Sequence, residues 1–161
     1  MKEIVELLIK NHKTIATMES CTGGFIASSI TDIEGASEVL RFSAVTYSNE
    51  YKIKLGVNQE TIDVYSVYSK EVAEEMAKNI TDIALSDYGI GITGKINRSD
   101  KNNLFGDDNK IFYSVYDKEN DKFYDYTLTA IDNTRFNNKV FIKDNIAISL
   151  LKMLKKEEEN N

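Results

Sequence analysis

The sequence predicts a three-layer α/β/α sandwich built on a mixed sheet, and three observations carry that expectation. In the first half of the chain, stretches with the two-residue period of strands alternate with stretches of helical period. A tight turn, Ser20-Cys21-Thr22-Gly23-Gly24, leads from a strand directly into a helix, the connection a parallel βα unit needs. Late in the chain two strand-like segments flank a four-residue polar link, which adds an antiparallel hairpin to the parallel strands.

Taken in order, Lys2 to Lys10 has apolar residues at Ile4, Val5, Leu7, Leu8 and Ile9 and reads as a helix ending near Asn11 or His12. Thr14 to Met18 reads as a buried strand, and Phe25 to Ile33 as a helix after the glycine turn. Asp32 to Ser37, with Gly35, reads as a loop. Leu40 to Ser48 alternates and is rich in Val, Thr, Phe and Tyr, so it reads as a strand. A short helix follows from Asn49 to Leu55, with Gly56 as the residue past its end. A helical turn is expected over 58–62. Ser69 to Leu85 is the clearest amphipathic helix, with Ser69 as its N-cap and Val72, Met76, Ile80 and Ile83 on one face.

Asp87 to Thr93 reads as a strand whose Gly89 and Gly91 leave one face bare for a close-packed helix or ligand. Lys95 to Asn109 is polar and irregular, a long loop of the kind that often carries function. Lys110 to Tyr116 and Lys122 to Thr129 form the hairpin, and a last helix runs from Asn133 or Thr134 to about Leu154. Its apolar residues include Phe136, Val140, Ile146, Leu150, Leu151 and Leu154. The expected organisation is one domain over 1–154 and a charged, flexible tail over 155–161.

Composition narrows the function. The chain has 161 residues, 42% of them hydrophobic, and a net charge of −6. No Lys/Arg-rich block stands out, which argues against nucleic acid as a partner, although a local basic pocket stays open. No apolar run approaches the roughly 20 residues of a membrane span, and Glu3 and Glu6 interrupt any signal-peptide pattern. One cysteine allows no internal disulfide and fits a reducing cytoplasm, so a cytoplasmic location is expected. One histidine and one cysteine cannot build a His/Cys zinc site, while a carboxylate-only magnesium site stays open. No cofactor is expected.

The glycine turn is where chemistry is expected. Its backbone N–H groups lack helical partners and favour an anion or a developing oxyanion. A Ser20 hydroxyl held there can act as a nucleophile; alternatively, Ser20 and Thr22 only cap the next helix. A Ser-His-Asp triad would have to use His12, the single histidine, from the turn after the first helix. A lysine or tyrosine base suits Ser20 better.

Two segments resemble a known family. Glu19-Ser20-Cys21-Thr22-Gly23-Gly24, with Ile30-Thr31-Asp32-Ile33 and Gly35-Ala36-Ser37 after it, resembles the C-terminal domain of CinA proteins. So does Val45-Thr46-Tyr47-Ser48-Asn49-Glu50-Tyr51-Lys52, followed by Leu55-Gly56-Val57. The resemblance extends over nearly the whole chain. Stand-alone versions of that domain are nicotinamide-nucleotide amidohydrolases. The resemblance therefore implies hydrolysis of the carboxamide of nicotinamide mononucleotide to nicotinate mononucleotide and ammonia, and a homodimer.

It also implies roles. Ser20 matches the family's nucleophile, and Tyr47 and Lys52 match its helper positions, one of them the base. Cys21, Thr22, Gly23 and Gly24 fall in the substrate-binding turn. Thr93 and Gly94 match the start of a second binding segment, where a hydroxyl can meet the amide or the phosphate. Arg135, in Asn133-Thr134-Arg135, is the nearest match to an arginine that grips the phosphate, although the Gly-Asp before it is lost. After Gly94 the family continues with a glycine-rich loop, whereas this chain has Lys95-Ile96-Asn97-Arg98-Ser99-Asp100. Lys95 and Arg98 can supply charge there with a different geometry. That departure keeps a second reading open, a relative that binds a nucleotide or a partner without turnover.

Overall fold

The computed structural model describes residues 1–97, 101–131 and 134–160. Its elements are α1 (Lys2–Lys10), β1 (Ile15–Glu19), α2 (Phe25–Thr31), α3 (Ala36–Val39), β2 (Leu40–Val45), α4 (Asn49–Lys54), α5 (Gln59–Tyr65), α6 (Lys70–Ala84), β3 (Tyr88–Gly94), β4 (Lys110–Asp117), β5 (Lys122–Thr129) and α7 (Arg135–Asn160). The five strands form one sheet in the order β2-β1-β3-β4-β5. β1 pairs in parallel with β2 and β3, and β4 and β5 pair antiparallel. This is the mixed α/β sheet expected, with parallel strands after helical crossovers and a hairpin at the end.

Alternation along the central strands sorts the helices onto the two faces. Ile15, Ile90 and Ile92 point into a core shared with Ile4, Ile30 and Ile146, under α1, α2, α3 and α7. Ala16 and Met18 point the other way, to Val72, Met76 and Ile80 of α6, with Ile62 of α5 beside them. Gly89 and Gly91 face α6 so closely that an added Cβ would lie 2.3 Å from the Ala77 carbonyl oxygen and 2.2 Å from that of Ala73. The bare strand face is thus the seat of a helix, not of a ligand. Ser69 caps α6 by accepting the Val72 N–H at 3.3 Å.

Several local expectations need correction. The 32–37 loop runs into a single helical turn, α3, behind Gly35 in the left-handed region. Ile83 and Phe136, expected on apolar helix faces, are exposed. The residues from 155 to 160 are not a frayed tail: α7 continues through Asn160. The extension is held by Glu157, which accepts from Tyr88 Oη at 2.6 Å, and by a 2.8 Å ion pair between Lys10 and Glu158. Thr134 caps α7 by accepting the Asn137 N–H at 3.2 Å, whereas Asn133, the other candidate, lies outside the described residues. Among the described residues, no helix is long and apolar enough to cross a membrane.

Candidate active site

β1 ends at Glu19 and Ser20 follows it, beside the carboxyl ends of β2 and β3. From β1 the chain goes to β2 on one side and later returns to β3 on the other. The crevice at such a switch point is where open α/β sheets bind ligands. A cavity of about 660 Å³ opens there, lined by Ser20, Cys21, Tyr47, Gly94, Lys95 and Arg135 among others.

Ser20 is fixed by its backbone: its N–H donates to the Ile92 carbonyl at 3.0 Å, and its carbonyl accepts the Gly23 N–H at 2.9 Å. Gly23 and Gly24 both have positive φ, 62° and 90°, which is why the turn takes glycine. The next segment brings the partner. Thr46 extends the pairing of β2 with β1, its N–H donating to the Glu19 carbonyl at 2.8 Å. Ser48 then caps α4 by accepting the Tyr51 N–H at 3.4 Å, and α4 carries Lys52 back under the turn. The Lys52 side chain is buried, the residue being 2% exposed. Its Nζ donates to the Ser20 hydroxyl at 3.1 Å and to the Thr46 carbonyl at 2.7 Å.

The two helper positions therefore part. Lys52 reaches Ser20, while Tyr47 is exposed and accepts from the Arg135 guanidinium at 3.1 Å. Arg135, the first residue of α7, also donates to the Ile96 carbonyl. It faces the cavity, and so does Gly94.

The turn's donors are used differently from the expectation. The buried Glu19 carboxylate takes the N–H groups of Gly24 (3.1 Å), Ile26 (3.1 Å) and Ala27 (2.8 Å), and the Thr22 hydroxyl at 2.6 Å. The N-terminus of α2 is thus occupied by the chain's own anion. Thr22 is a buried prop for Glu19 and does not line the cavity. The Cys21 and Thr22 N–H groups donate to no backbone carbonyl among the described residues. Thr93, expected to meet substrate, is fully buried and donates to the Val67 carbonyl at 2.9 Å, so its hydroxyl serves packing. Sequence reasoning gave Glu19 no role. Its spacing before a glycine turn, with donors five to eight residues later, was the available signal.

Cys21 lines the cavity, but it is no rival nucleophile. Burial pushes its thiol up to about 12 against the pull of Lys52 and Arg135, so it stays protonated near neutral pH. Lys95 adds a buried cation to the cavity wall. Arg98 lies outside the described residues.

Solved structures share this architecture. A CinA superfamily protein from Klebsiella pneumoniae matches with a TM-score of 0.87 over 96% of this chain and 95% of that one, at 20% identity. One from Escherichia coli matches with a TM-score of 0.83 over 93% and 86%, at 24% identity. At the level of sequence, a CinA-like protein of Endomicrobium trichonymphae is 49% identical over 89 residues, which is 55% of this chain and 21% of that protein. A CinA-like protein of Desulforapulum autotrophicum is 47% identical over 94 residues, 58% of this chain and 22% of that protein. The chain matches less than a quarter of the length of these relatives. The family model for the CinA C-terminal domain matches residues 1–103, which takes in the Ser20 turn, Lys52, and β3 with the start of the loop after it. With both motifs inside that match and the fold shared, the chain belongs to the CinA C-terminal domain family.

Proposed function

We propose that the protein is an amidohydrolase that converts nicotinamide mononucleotide to nicotinate mononucleotide and ammonia, with Ser20 as nucleophile and Lys52 as its base. The observation that carries this reading is the buried 3.1 Å contact between Lys52 Nζ and Ser20 Oγ. A serine hydroxyl is a weak nucleophile until a neighbouring base takes its proton, and a Ser–Lys pair meets that need without histidine.

In the proposed reaction, Ser20 Oγ attacks the carboxamide carbon as the neutral Lys52 amine accepts the hydroxyl proton. The Thr46 carbonyl, 2.7 Å from Nζ, holds the amine in line. Charge develops on the carboxamide oxygen, and the N–H of Cys21, the residue after the nucleophile, is the donor offered to it. Collapse of the tetrahedral intermediate passes the proton from Lys52 to the leaving nitrogen, which departs as ammonia. Water, deprotonated by Lys52, then cleaves the acyl ester and restores Ser20. Arg135 is assigned to the phosphate, and Tyr47, hydrogen-bonded to it, keeps its guanidinium at the cavity mouth. A cavity of about 660 Å³ suits a mononucleotide.

The test is product formation by the purified chain given nicotinamide mononucleotide. Ammonia and nicotinate mononucleotide in equal amounts are expected; no ammonia above the substrate blank would overturn the reading.

A further inference from the structure

The charge of the cavity runs against the charge of the chain. The protein has 26 acidic and 20 basic residues, yet the described residues lining the cavity include Lys95 and Arg135 and no carboxylate. Lys95 is the less expected of the two, because its side chain is only 2% exposed. A buried ammonium is costly unless its protons are taken up. The Gly106 carbonyl accepts one at 3.1 Å, and Asp108, itself 56% exposed, stands at 3.5 Å. The Tyr68 ring lies 5.3 Å from Nζ. An ammonium has three protons to give, and these two oxygens leave room for a third acceptor.

Backbone geometry ties Lys95 to Arg135. The arginine donates to the carbonyl of Ile96, the residue directly after Lys95. Both cations thus border one cavity, the guanidinium tied to the backbone segment that carries Lys95, and Ser20 lines the same space. Two cations on a cavity whose described lining holds no carboxylate favour an anion of more than one charge.

We propose that Lys95 is a specificity-determining residue that, together with Arg135, holds a phosphate monoester group on the substrate. The proposal rests on the cavity being the substrate site, as inferred above, but not on the amide chemistry. Lys95 acts as a point charge within the wall, whereas Arg135 offers a planar fork from the rim. Asp108 competes with the phosphate for the ammonium, which predicts that its removal tightens binding.

The test measures binding of nicotinamide mononucleotide and of nicotinamide riboside, which lacks the phosphate, to the full chain by calorimetry. The wild type is expected to prefer the mononucleotide, and Lys95→Met to reduce that preference about ten- to a hundredfold, with partial recovery in Lys95→Arg. An unchanged preference in Lys95→Met, equal binding of the two probes by the wild type, or binding of neither overturns the proposal. Should Lys95→Met fail to fold, Asp108→Asn at an exposed position decides: a several-fold gain for the mononucleotide alone supports the proposal, and no gain contradicts it. Ammonia release, followed in the same samples, separates the two readings. Binding that depends on Lys95 without ammonia removes the amidase and leaves the phosphate site, and ammonia without a phosphate preference does the reverse.

Discussion

Lys52 Nζ stands 3.1 Å from the Ser20 hydroxyl oxygen, at the end of a side chain that is buried. A lysine enclosed in this way is costly for stability and is expected where chemistry needs it. Lys52→Met keeps the volume and removes the amine. The expected result is a fall in kcat of about 10²–10⁴ with the melting temperature held or raised, measured by ammonia release and thermal denaturation. A folded variant with wild-type kcat would remove Lys52 from the reaction.

Glu19 supports the turn from beneath, accepting from three backbone N–H groups and the Thr22 hydroxyl. Glu19→Ala leaves those donors buried without an acceptor. A loss of about 3 kcal/mol or more is expected, which corresponds to a fall in Tm of about 6–12 °C for a chain of this size. A change within 1 °C or so by calorimetry would show that other acceptors take over.

Cys21 shares the cavity wall with Ser20, but its thiol is pushed up to about 12 by burial. At pH 8 the folded protein is therefore expected to react with iodoacetamide roughly a thousandfold more slowly than the urea-unfolded chain. Mass spectrometry of timed samples reads the difference. Fast labelling of the native protein would contradict the protonated, enclosed thiol.

At the far end of the sheet, Glu157 accepts from Tyr88 while burial, and more weakly the charge on Asp117, raises its carboxyl above the ordinary value of 4.5. A carboxyl raised in the folded state binds its proton more readily there than in the unfolded chain. Its contribution to stability is present in full below the unfolded value and is lost as pH rises through the folded value. Glu157→Gln retains an acceptor for Tyr88 and carries no charge. It is expected to melt slightly higher than the wild type at pH 7, with the difference vanishing below about pH 4. A variant that melts lower at pH 7 would contradict the assignment.

The reach of sequence reasoning was uneven for physical reasons. Strand alternation and helix caps are local, so the α6 cap at Ser69 and the hairpin after Asp117 were legible in the residues. Gly89 and Gly91 announced a close approach, and α6 is what approaches. The approach of Lys52 to Ser20 spans 32 positions, and only the two motifs taken together suggested it. The turning of Tyr47 to another partner was not legible, because that partner, Arg135, lies far along the chain. Nor was the burial of Thr93, whose acceptor is the carbonyl of Val67 on another segment. The extension of α7 past Leu154 was missed for a related reason: a run of lysines and glutamates looks solvated until Tyr88 and Lys10 supply partners from elsewhere in the fold. The turn's N–H groups were expected to be open because the competing acceptor, Glu19, precedes them in sequence and folds back over them.

The most direct test compares ammonia release from nicotinamide mononucleotide by the wild type and by Ser20→Ala at matched concentration, after thermal denaturation has shown that both are folded. The expected result is steady release by the wild type and none above the substrate blank in the variant. Equal rates from the two proteins would mean that the hydroxyl beside Lys52 does not attack the amide.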